Sequence, residues 1–207
     1  DQNLKLVQGN LPINKLKNIF SRYSDNENLQ GLYFRNDSHE WETKLRVKTI
    51  NYVDDWKITW GANIQYSDYY NNTTDIINQL EYITQIDFYK YGLFGNISKS
   101  FIDSKLDISL GIRADEDNFS EGSKILDNIS PRMSTSYALT EDRRLKWNSS
   151  IGIYFKIPTY TVLGFKDFLG VLTNRNAKYT KSNHFVTGFD YSLGNASRIS
   201  IEGFFKQ

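Results

Sequence analysis

Trp56-Lys57-Ile58-Thr59-Trp60-Gly61-Ala62-Asn63-Ile64-Gln65-Tyr66 alternates without a break. One face carries Trp56, Ile58, Trp60, Ala62, Ile64 and Tyr66, and the other carries Lys57, Thr59, Gly61, Asn63 and Gln65. Successive side chains of a strand point to opposite faces, so this stretch reads as a β-strand with one apolar and one polar surface. Its length is about 33 Å at roughly 3.3 Å per residue, or about 25 Å of height when tilted by about 40°. That matches the apolar band of a membrane-spanning barrel, and aromatic residues stand at both ends, as they do at lipid interfaces.

The same period extends in both directions. Trp41, Thr43, Leu45, Val47 and Thr49 alternate with Glu42, Lys44, Arg46 and Lys48, and a turn at 51–55 separates them from the first strand. Downstream, alternation returns over residues 89–101, 106–113, 132–139, 145–156, 185–193 and 199–205, with Phe94 as the exception to the pattern. A further strand over 16–23 brings the count to about eight or nine by these pattern criteria. No amphipathic helix longer than two turns, tandem repeat or domain boundary interrupts the series. Short connections at 51–55, 102–104, 140–144 and 194–197 alternate with long polar ones at 67–81, 118–127 and 158–183. In an up-and-down antiparallel sheet this puts the short turns at one end and the long loops at the other, the asymmetry of outer-membrane barrels. The expected fold class is therefore all-β: an antiparallel up-and-down transmembrane β-barrel, with 1–207 as one unit.

Composition narrows the function classes. The 207 residues carry 25 Lys+Arg against 24 Asp+Glu, a net charge of +1, which argues against a nucleic-acid binder that works by neutralising phosphates. Without cysteine there is no disulfide scaffold, no zinc site on thiolates and no thiol catalysis. His39 and His184 are the two histidines, so a multi-histidine metal centre is excluded. Mean hydropathy is −0.55, and no apolar run approaches the 18 or so residues of a membrane helix. The chain opens at Asp1 and stops at Gln207 inside an alternating segment, and is expected to be a piece of a longer protein.

Several stretches share their wording with a known family. They are Ser130-Pro131-Arg132, Ser136-Tyr137-Ala138-Leu139, the run from Ile151 through Ile157-Pro158-Thr159-Tyr160 to Phe165, Asn174 with Ala177-Lys178-Tyr179, His184-Phe185-Val186-Thr187-Gly188-Phe189, and Ile201-Glu202-Gly203-Phe204-Phe205-Lys206, with Leu110-Gly111-Ile112-Arg113-Ala114-Asp115 upstream. In this order and spacing they resemble the barrel of TonB-dependent outer-membrane receptors, in the branch with a carboxypeptidase-regulatory-like N-terminal domain. The resemblance covers most of 33–207. It implies a barrel of about 22 strands closed by a plug, of which this chain holds a section, the plug and N-terminal domain lying outside it. It implies a bacterial outer-membrane location, contact with outer-membrane lipid, and coupling to TonB and the inner-membrane energising complex through the missing parts. The expected role is active uptake of a siderophore, haem, vitamin or oligosaccharide, with no enzymatic activity, no cofactor and no nucleic-acid partner. Two other readings stand beside it: a small closed outer-membrane barrel and a soluble extracellular carbohydrate-binding β-sandwich.

Candidate ligand contacts fall in or beside the long connections. Tyr69, Tyr70, Tyr160 and Tyr179 offer rings that stack on a sugar or siderophore. Asp115, Glu116 and Asp117 cluster where a strand enters a loop, but lack the regular oxygen spacing of a calcium site. His184 begins a strand at the rim. Lys44, Arg46 and Lys48 oppose Glu42 on a polar face, where strand-to-strand pairing is the first expectation and an interior ion ladder that holds a plug or lines a path is the second. No catalytic, cofactor or metal residues are assigned.

Overall fold

The computed structural model describes residues 4–8, 16–24, 31–122, 124–194 and 197–207, with side chains from Tyr33 onward. Ten strands form one antiparallel sheet in chain order: β1 (Leu4–Gln8), β2 (Leu16–Ser24), β3 (Gly31–Val53), β4 (Trp56–Asp75), β5 (Leu80–Phe101), β6 (Leu106–Asp117), β7 (Ile129–Ala138), β8 (Leu145–Lys156), β9 (Thr180–Ser192) and β10 (Arg198–Lys206). The strand expected at 16–23 is β2, and β1 is one more than the alternation reveals. Among the described strands β10 pairs with β9 and β1 with β2, and neither edge closes on the other. The sheet is thus a section of wall, and a small closed barrel is not what these strands build.

The registers give the two faces different chemistry. Ile58, Ile97, Leu110, Met133, Ile151, Phe185 and Phe205 are successive Cα partners across seven strands. They form an unbroken apolar row on the convex face, where Leu45, Val47, Trp60, Leu93 and Ile112 are also more than half exposed. So wide an uncovered apolar surface suits lipid, not water. Trp41, Tyr66 and Tyr89 pack ring against ring at its upper edge, with centroids 5.7 and 5.2 Å apart. One row higher, Asp68 and Asp87 face each other, which marks the water boundary. The concave face one row below the apolar one reads Ser98, Ser109, Ser134 and Ser150 across four strands.

At one end the turns are tight: Asp54 and Asp55 alone join β3 to β4, with Asp54 in the left-handed region at φ 52° that aspartate tolerates. At the other end one expectation is corrected. Residues 67–81 are not a long loop, because β4 and β5 continue to Asp75 and from Leu80, and a four-residue connection, 76–79, joins them. The stretch is rich in Asn, Thr and Asp, so it looks like a loop, but its Tyr and Thr suit a pleated strand. What holds it extended is a cover on one face that arrives from 80 residues downstream. The projection reaches about 30 Å beyond Tyr66 at roughly 3.3 Å per residue.

Candidate functional site

That cover is the connection between β8 and β9. It does not stand out into solvent but folds onto the concave face of β4 and β5. A single turn of helix, α1 (Tyr160–Leu163), delivers Tyr160 and Leu163 into a core with Tyr69, Ile86 and Phe88, against which Phe119, Ile157 and Ala177 pack. Leu163 has no exposed surface and Phe88 only 1%. The Thr84 hydroxyl donates to the Gly164 carbonyl at 2.6 Å, which fixes the end of the helical turn against the wall. Tyr160 ties the same loop to a charged network: its hydroxyl donates to Glu42, accepts from Lys90 Nζ at 2.6 Å and lies 3.0 Å from Ser67 Oγ. Glu42 also pairs with Lys44 at 2.5 Å and with Lys90 at 3.5 Å.

The start of the β6–β7 connection is anchored on the Asp117 carboxylate. Asp117 accepts from the Phe119 and Ser120 amides at 2.9 and 2.6 Å, from Ser120 Oγ at 2.7 Å and from the Tyr179 hydroxyl at 2.9 Å. It thereby joins both long connections. Glu121 and Arg175 tie them again, side chain to side chain at 3.0 Å and backbone to backbone at 2.7 Å. Burial, then Glu42, push the Tyr160 hydroxyl pKa upward, and burial, then the Asp117 charge, do the same to Tyr179. Both phenols stay neutral donors at physiological pH.

The expected contact residues are therefore sorted by strand parity. Tyr69 packs on Tyr160 and Tyr179 donates to Asp117, and all four are buried in the fastening of the loops. Tyr70 faces the opposite way from Tyr69 and stacks on His39 at 5.2 Å. Glu116 pairs with Tyr91 on the convex face while Asp115 and Asp117 face inward, so the three carboxylates do not converge. Asp115 holds Arg113 through two 2.5 Å bonds. His184 lies lower on the concave wall, its ring stacked on Tyr154 with centroids 4.4 Å apart.

Below the fastened loops, among the described residues, Arg46 does not join the ion ladder expected of it with Glu42, and two arginines not singled out from the sequence, Arg113 and Arg132, lie on the same wall. Arg46 lies over the Phe94 ring at 4.4 Å and Arg132 over the Tyr154 ring at 4.3 Å. Arg113, anchored by Asp115 and bonded to Asn63 at 3.0 Å, lies in the same depression. Phe94, the break in alternation, explains itself here: it is the aromatic bed for Arg46. Gly61 leaves it room, since a Cβ there would lie 2.6 Å from the Phe94 ring and 2.2 Å from the Val47 carbonyl oxygen.

Residues 3–207 match the family model described as TonB dependent receptor-like, beta-barrel. No curated protein matches the chain. Among solved structures, the copper transporter OprC is 15% identical, with a TM-score of 0.62 over 92% of this chain and 34% of its own. The ferric enterobactin receptor PfeA of Pseudomonas aeruginosa gives 15%, 0.62, 92% and 31%. FpvA of P. aeruginosa, solved with heterologous pyoverdines, gives 12%, 0.54, 99% and 29%. The chain thus spans about a third of the solved proteins it matches, and at these identities the likeness is one of fold.

Proposed function

The chain belongs to the TonB-dependent receptor-like β-barrel family, and from that premise we propose that it forms part of the wall and rim of a receptor for TonB-coupled nutrient uptake. The family's members are receptors and transporters of the Gram-negative outer membrane and not enzymes. The cargo is a nutrient of the siderophore, haem, vitamin or oligosaccharide kind. The plug, the remaining strands and the segment that meets TonB belong to parts of the protein outside these 207 residues.

One observation carries the reading. The sheet shows lipid an apolar face, shows the interior a polar one, and turns its longest connection inward at the end where the strands project furthest. A wall built this way separates membrane from a wet interior and narrows the entrance to it. A soluble carbohydrate-binding sandwich needs its apolar face covered by a second sheet, and none of the described elements covers the row from Ile58 to Phe205. The test is uptake by the source bacterium, with the receptor gene intact or deleted, across ferric siderophores, haem, cobalamin and oligosaccharides. Loss of one cargo's uptake on deletion, and equally on dissipating the proton gradient, supports the proposal. Unchanged uptake of every cargo by the deletion strain would overturn it.

A further inference from the structure

The apolar, lipid-facing side of the wall is notched at Gly95. Trp60, Gly95 and Ile112 are successive Cα partners across β4, β5 and β6, so two large side chains flank a residue that has none. The result is a notch of about 330 Å³ in the convex face, which Ile58, Ile97 and Leu110 continue toward the end with the tight turns. Nothing within the described chain requires glycine at this position. Its φ lies outside the left-handed region, and beyond its chain neighbours a Cβ would meet only Ile112 Cγ2, at 4.0 Å. Gly61 and Gly92 differ, because Cβ atoms on them would stand 2.2 Å from the Val47 carbonyl oxygen and from Asp115 Oδ1. Glycine weakens a strand interior, and where the protein's own packing does not call for it, it marks the close approach of something else.

Four residues further along the same face of β5, Lys99 lies between two rings. Its Nζ stands 5.2 Å from the Trp56 centroid and 5.7 Å from that of Phe101, which holds the ammonium at the depth of the lower aromatic girdle. The exposed carboxylate of Asp55 is 3.5 Å away. Gly95 and Lys99 are separated by about 13 Å along the strand at roughly 3.3 Å per residue, or about 10 Å of depth at a tilt of about 40°. Half of an apolar band about 25 Å tall is about 12 Å, so the notch lies within the leaflet on the side of the tight turns. We infer that the notch and Lys99 together hold one phospholipid of the periplasmic leaflet, its phosphate on Lys99 and one acyl chain over Gly95 between Trp60 and Ile112. Short turns mark the periplasmic end of such a barrel, where the leaflet is phospholipid and not lipopolysaccharide. Asp55 beside Lys99 suits a headgroup that brings its own ammonium, phosphatidylethanolamine, over an anionic one. The convex face looks away from the barrel interior, so a plug does not reach the notch. The site needs only the outer-membrane location of the family and no particular cargo.

The experiment uses the intact receptor, delipidated in mild detergent and titrated with phosphatidylethanolamine or phosphatidylglycerol, with bound lipid counted by native mass spectrometry. The wild type is expected to retain one phosphatidylethanolamine in preference to phosphatidylglycerol. Gly95→Phe, which fills the notch, and Lys99→Gln, which removes the cation, are each expected to lower that occupancy at least fivefold. Leu45→Phe enlarges an exposed side chain on the same face away from the notch and is expected to leave it unchanged. Heat-modifiable gel migration confirms that each variant is folded. Equal occupancy in wild type and G95F, or an equal loss in G95F and L45F, would overturn the proposal. Retention of phosphatidylglycerol at least as strong as that of phosphatidylethanolamine would overturn the headgroup assignment. A wild-type dimer that G95F dissociates would also overturn the proposal, since the notch would then be packed against a second copy of the receptor.

Discussion

Leu163 is the deepest apolar side chain of the inward-folded connection, so Leu163→Ala tests whether its burial fastens that connection. The residue is fully buried between Tyr160 and the β5 residues Ile86 and Phe88. Truncating a fully buried leucine costs about 2–5 kcal/mol through lost transfer energy and the cavity left behind. The loss falls on loop docking and not on the barrel, because the strands below keep their ladders without Leu163. Taking about 3 kcal/mol, the undocked population rises roughly a hundredfold. Trypsin reports this directly, since Lys166, Arg175 and Lys178 lie in the connection, and cleavage of a transiently opened segment follows its population when reclosing is fast. The control is Phe168→Ala, whose side chain is 88% exposed at the tip of the same connection. Intact receptor carrying L163A is expected to be nicked at these sites far faster than wild type or F168A, with heat-modifiable migration unchanged. Equal nicking of L163A and F168A would refute burial as the fastening.

Three further outcomes follow from the same geometry. Tyr160→Phe removes a hydroxyl bonded to Glu42 and Lys90 but leaves those two paired, so the loop loosens by about 2 kcal/mol, less than in L163A by the same assay. The raised pKa values of Tyr160 and Tyr179 give an alkaline limit: docking is fully supported below the ordinary tyrosine value near 10 and is lost as pH rises from there through the higher values of the docked state. Trypsin protection is therefore expected to hold between pH 7 and about 9 and to fall above about 10, with a weaker fall in Tyr179→Phe. Leu93→Arg puts a charge in the middle of the lipid-facing row and should lower unfolding free energy in lipid by about 2–4 kcal/mol, whereas Thr59→Arg on the concave face should change it by less than about 1 kcal/mol, both read from urea midpoints.

Much of this was legible along the chain, because the period of two is a local property. Trp56 to Tyr66 shows both faces of the wall by itself, and the same parity carried past Tyr66 already separates Tyr69 from Tyr70 and Asp115 from Glu116. The strand extension through Asp75 was hidden for a non-local reason: its inner face is buried by residues near 160, and nothing within 67–81 announces that cover. Phe94 was visible as a break in alternation, and a break on a polar face is the signal that points to Arg46. Arg132 and Tyr154 gave no such signal, since each sits where parity expects a polar or interfacial residue. Their meeting depends on the register between β7 and β8, where Arg132 pairs with Gly152.

The two-faced wall is tested most directly by single spin labels in the intact receptor in lipid. The 207 residues contain no cysteine, so, with any cysteine elsewhere in the receptor replaced by serine, labels can be placed one at a time at positions 62, 63, 64, 65, 93 and 96. Collision with oxygen, which partitions into lipid, and with a water-soluble nickel chelate would be compared at each. A wall with a lipid face and a wet face gives oxygen-dominated collisions at 62, 64 and 93 and chelate-dominated or protected behaviour at 63, 65 and 96. Chelate access at all six, with no alternation, would contradict it.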